Sequence, residues 1–76
     1  MSPALPVLKP KKIVRALERA GFYIHHSSGS HVQMQHAYKP ELRVTIPYHA
    51  FDVPSGTLNS IIRQSGLSRE EFLKLL

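Results

Sequence analysis

The chain of 76 residues contains no cysteine. That absence excludes a disulfide-stapled miniprotein, a thiolate metal site and a cysteine nucleophile. Carboxylates are also scarce: Glu18, Glu41, Asp52, Glu70 and Glu71 are the whole set, and they are scattered. The one adjacent pair, Glu70-Glu71, is accounted for by helix capping. A two-carboxylate glycosidase and a two-metal nuclease both need acidic side chains that converge, so neither fits. No apolar run approaches the roughly 20 residues that span a bilayer. The opening MSPALPVLKP is too proline-rich for the apolar segment of a signal peptide, so the expected compartment is the cytoplasm. Walker and Rossmann glycine patterns, HExxH, internal repeats and low-complexity stretches are all missing.

What remains is a single small domain of ordinary globular composition, with 42% apolar and 20% charged residues. A chain this short buries only about 60% of its unfolded surface, which predicts a thin core. Ten Lys and Arg against five Asp and Glu give a net charge of +5, which favours an anionic partner, nucleic acid first among them. An acidic membrane surface or an acidic protein would also answer that charge.

Hydrophobic spacing predicts the order helix, three strands, helix, short helix. Residues 1–9 carry two prolines and read as an extended lead-in, with Val7 and Leu8 against the body. Pro10 suits the first position of a helix over 11–20, with Ile13, Ala16, Leu17 and Ala20 inward. Gly21 stops it. Phe22 to His26 reads as a first strand and 27–30 as a turn. His31 to His36 alternates, with Val32 and Met34 on one face and His31, Gln33 and Gln35 on the other. A third strand, 42–46, turns Leu42, Val44 and Ile46 inward, and Pro47 ends it. Ser55 is a candidate N-cap for a helix to about Gln64, buried through Leu58, Ile61 and Ile62. Ser68-Arg69-Glu70-Glu71 is a capping-box pattern that opens a last short helix. The fold class is therefore α+β: a three-stranded antiparallel meander with helices on one face and the other face open.

Two features could carry chemistry. Lys11, Arg15 and Arg19 recur at four-residue spacing, with Lys12 beside them, so their charges project from one side of the first helix. Such a row can follow phosphates along a strand of nucleic acid, although Glu18 shares that side. A plain solvated helix face would show the same spacing. Lys39, Arg43 and Arg63 add positive charge elsewhere. The second feature is the histidines. His25 and His26 are consecutive, and His31 and His36 are five apart, so within each pair the strand turns the side chains to opposite faces. No three converge as a zinc site requires. His31 stands apart because it follows Ser28-Gly29-Ser30, where a flexible turn enters a strand and Gly29 carries no side chain to obstruct a phosphate. RNA supplies its own nucleophile, the 2′-hydroxyl. A histidine beside Lys and Arg therefore suffices to cleave it without metal.

An ordered set of short motifs resembles the HicA (YcfA-like) family of toxins from bacterial toxin–antitoxin pairs. It comprises Leu17 with Gly21-Phe22, then Gly29-Ser30-His31, then Val44-Thr45-Ile46-Pro47 with His49. Gly56-Thr57-Leu58 with Ile61 and Gly66-Leu67-Ser68 with Glu71-Phe72 complete it. The resemblance implies a double-stranded-RNA-binding-domain-like fold, α-β-β-β-α. It further implies a metal-independent endoribonuclease acting on messenger RNA without a cofactor, with His31 as the catalytic residue and a HicB-type antitoxin as partner. Lys11, Lys12, Arg15, Arg19, Ser30 and Arg43 are then the candidate RNA contacts. The family often has a basic residue before the second histidine, whereas this chain reads Pro47-Tyr48-His49, where Tyr48 offers a ring for base stacking. A non-catalytic RNA-binding module and a protein-docking domain remain the alternatives.

Overall fold

The structure, a computed structural model, describes residues 4–76. Its elements run α1 (Pro10–Arg19), β1 (Phe22–Ser28), β2 (His31–His36), β3 (Arg43–Pro47), α2 (Ser55–Ser65) and α3 (Arg69–Leu73). The three strands form one antiparallel sheet in the order β1-β2-β3. The expected α+β meander is thus the fold observed. Residues 1–3 of the anticipated lead-in lie outside the described residues.

Apolar spacing explains which faces meet. In α1, Ile13, Ala16 and Leu17 are fully buried, as the helical period requires. Val14 and Pro10 join them, so the buried face is wider than expected, and Ala20 falls just beyond the helix. Val32, Met34, Val44 and Ile46 alternate inward from β2 and β3, and Leu58, Ile61 and Ile62 meet them from α2. Phe72 of α3 is buried completely and closes the core. Burying a side chain of that size contributes about 1.5–3 kcal/mol. All three helices therefore share one layer, and the opposite face of the sheet carries exposed residues.

Several details differ from expectation. Leu8 forms an isolated bridge with Val53 and is buried; that orientation turns Val7, its neighbour, to solvent. Ser55 is not the N-cap of α2. Leu58 N–H donates to the carbonyl of Pro54 at 2.9 Å, so the extended residue Pro54 precedes the helix and Ser55 is its first helical residue. At α3 the capping box is formed: Glu71 N–H donates to Ser68 Oγ at 3.0 Å, and Ser68 N–H to Glu71 Oε1 at 2.8 Å. β1 runs two residues further than expected because the turn is tighter. Only Gly29 and Ser30 connect Ser28 to its partner His31. Gly29 takes φ 57 and no other residue of that turn has positive φ, the sign pattern of a type II′ hairpin turn.

One irregularity re-phases β1. Ile24 pairs with Met34 and His26 with Gln33, so β1 spends one extra residue, His25, where β2 spends none. This β-bulge decides which way the following side chains point.

Candidate active site on the open face of the sheet

His31 is the first residue of β2 and is exposed. Its cross-strand neighbours are Ser28 on β1 and Pro47 on β3. Val32 beside it points into the core, so His31 points outward, onto the face without helices. The type II′ turn before it keeps the approach open, because a Cβ added at Gly29 would meet nothing within 4 Å. The ring of His31 makes no hydrogen bond among the described residues, so both nitrogens remain available.

The chain after β3 is tied to this end of the sheet. Tyr48 N–H donates to the carbonyl of Ser30. This brings Tyr48, which is exposed, beside the turn that carries His31. His49 follows, and its Nδ1 accepts from Phe51 N–H at 3.3 Å. Pro47-Tyr48-His49 is therefore held against Gly29-Ser30-His31 by backbone pairing.

The second row of the open face is His26, Gln33 and Thr45. From sequence, His26 reads as an ordinary surface or half-buried histidine. The bulge at His25 puts it on the same face as His31, at the diagonal position. Diagonal neighbours in an antiparallel pair lie about 7–8 Å apart. Strict alternation from the buried Phe22 would have turned His26 inward, and no local residue pattern announces the extra residue.

The candidate RNA contacts fall into two groups. Ser30 and Arg43 belong with His31. Arg43 lies on the open face opposite Gln35, four residues along β3 from Pro47, or about 13 Å. Its Nε donates to Pro40 O at 3.4 Å. Lys11, Lys12 and Arg15 are exposed on α1, in the layer on the other side of the sheet. Arg19 sits on the same helix, but Nη1 donates to the carbonyl of Leu75 at 2.7 Å and holds the C-terminal segment. The structure thus places Ser30 next to His31, puts Arg43 on the same face at the far end of β3, and leaves the α1 cations on the other side of the sheet.

His36, the other end of β2, has a structural task. Tyr38 and Lys39 N–H both donate to its Nδ1 at 3.1 Å, which puts the ring proton on Nε2, 3.1 Å from the carbonyl of Ala20. Its ring also meets Phe22 edge to face, with centroids 5.0 Å apart. Among the described residues, no three His, Asp or Glu side chains are grouped so that they could hold a metal ion. No helix there is long and apolar enough to cross a membrane.

None of the curated proteins matches this chain. Residues 10–67, from the first residue of α1 to the one before the α3 cap, match the family described as "HicA toxin of bacterial toxin-antitoxin". That match covers most of the chain and each of the three strands, and the protein belongs to the HicA toxin family of bacterial toxin–antitoxin systems.

Proposed function

We propose that the protein is an endoribonuclease that cleaves messenger RNA in the cytoplasm and is neutralised by a HicB-type antitoxin. The observation that carries this reading is the position of His31. It is an exposed imidazole, without a hydrogen-bond partner among the described residues, at the mouth of a glycine turn on the uncovered face of the sheet. An imidazole can serve as general base or general acid. In this mechanism the 2′-hydroxyl attacks the adjacent phosphorus while His31 takes or gives a proton. The P–O5′ bond breaks and leaves a 2′,3′-cyclic phosphate and a 5′-hydroxyl. The backbone N–H and hydroxyl of Ser30 position the scissile phosphate, and Arg43, about 13 Å along the same face, holds a phosphate further along the strand. Tyr48 stacks on a base beside the turn. The antitoxin acts by covering this face.

The test is cleavage of a long messenger RNA by wild type and by His31→Ala, both folded, in the presence of EDTA. Cleavage by wild type alone, with cyclic phosphate ends, is the expected result. Products with 3′-hydroxyl ends would overturn the mechanism. Intact RNA that is nevertheless bound by wild type would leave a non-catalytic RNA-binding module as the better account.

A further inference from the structure

Transesterification of RNA needs two proton transfers, one from the attacking 2′-oxygen and one to the departing 5′-oxygen. A single imidazole in a shallow, open site cannot stand on both sides of the phosphorus at once. We infer that His26 is the second proton-transfer group, acting with His31 across one phosphodiester; this rests on the ribonuclease reading above.

Three observations support the pair. His26 and His31 lie on the same uncovered face, diagonal to one another across the β1–β2 hairpin. Their backbones are then about 7–8 Å apart, a separation at which two side chains of this length can flank one phosphate between them. Both residues are exposed, and neither ring has a hydrogen-bond partner among the described residues. This contrasts with His36, whose ring is bonded through both nitrogens, and with His49, whose Nδ1 is occupied. The third observation is the bulge. Without the extra residue His25, position 26 would fall on the opposite face of the sheet from His31. Bulges of this kind recur beside active sites, where they re-aim a side chain.

One imidazole, neutral, removes the proton of the 2′-hydroxyl as the 2′-oxygen bonds to phosphorus. The other, protonated, gives its proton to the 5′-oxygen as the P–O5′ bond breaks. Each ring ends in the state from which the other began, and exchange with water resets them. Gln33 lies directly opposite His26 and is the next outward-facing residue of β2 after His31, so it can donate its amide to a non-bridging phosphate oxygen.

The experiment compares wild type, His26→Gln, His26→Ala and His49→Ala on a short RNA, with kcat and KM measured from pH 5 to 9. Two substrates are used, one natural and one in which the scissile 5′-oxygen is replaced by sulfur. Sulfur leaves without needing a proton. The expected result is a bell-shaped kcat profile for wild type. Both His26 variants should lose about 10²–10⁴-fold in kcat with little change in KM, and one limb of the bell with it. On the sulfur substrate, the variant lacking the acid should recover and the variant lacking the base should not, with His31→Ala included as the complementary case. A KM increase alone, with the bell intact, would overturn the proposal and make His26 a phosphate ligand. Loss of a limb in His49→Ala instead would overturn it in favour of that residue. Failure of wild type to cleave at all would overturn the ribonuclease reading and this inference together. Unimpaired cleavage by His26→Ala beside an inactive His31→Ala would overturn this inference alone.

Discussion

The ring of His36 lies so close to Gly21 that a methyl group on its α-carbon would stand 2.9 Å from Nε2. Gly21 also has φ 99, in the region that side chains avoid. The two effects act in the same direction. Gly21→Ala should destabilise the fold by about 1–3 kcal/mol. The urea midpoint should fall with an unchanged slope, and a midpoint equal to wild type would show that the β1 entry relaxes freely.

Glu71 gives stability a pH dependence of known sign. The backbone N–H of Ser68, then its side chain, hold the carboxyl below its ordinary range, opposed by slight desolvation and helped by Lys74. A depressed carboxyl stabilises the folded chain fully above its unfolded pKa. That contribution disappears as pH falls through the folded value. Wild type should therefore exceed Glu71→Gln in thermal midpoint at neutral pH, and the gap should close in acid. A gap that is constant with pH would assign the difference to packing.

The α1 cations lie across the sheet from His31, so they are expected to set affinity and leave the chemistry alone. Replacing Lys11, Lys12 or Arg15 with Gln should reduce the slope of log affinity against log salt by about one for each phosphate left without its cation. The kcat at saturating RNA should hold. An unchanged salt slope would remove α1 from the RNA interface.

Arg19 should behave differently from its helical neighbours. Its guanidinium is bonded to the Leu75 carbonyl, so Arg19→Gln should loosen the C-terminal segment. The effect on stability should be of the order of 1 kcal/mol. Amide exchange in α3 and the residues after it should rise. If RNA affinity falls while exchange is unaffected, Arg19 is a phosphate ligand and the bond to Leu75 is incidental.

Much of this architecture is written in period and capping. Val32, Met34, Val44 and Ile46 alternate, Ile13 and Leu17 fall on one helical face, and Ser68 with Glu71 forms the box that their spacing predicts. Those signals are local, and local geometry alone produces them. The turn before His31 is legible for the same reason, since Gly29 sits where a positive φ is required. Apart from the helix cap at Pro54 and the tightness of the turn at Gly29, the positions that sequence reasoning misses depend on partners distant in the chain. Val7 turns outward because Leu8 meets Val53, and Arg19 is drawn from the basic row by the carbonyl of Leu75, 56 residues away. His26 escapes a reading based on strict alternation because its strand contains a bulge, and only pairing with β2 reveals it.

The bulge has a consequence for how copies of the protein meet. β1 is an edge strand, and its seven residues could template another chain along their outer side. On the opposite edge the amide of Gln64 already caps Thr45 N–H at 3.0 Å. On β1 the extra residue at His25 breaks the even spacing of donors and acceptors instead. A second strand laid alongside would fall out of step at the bulge. The residue that turns His26 toward the open face thus also interrupts the ladder that an added strand would need.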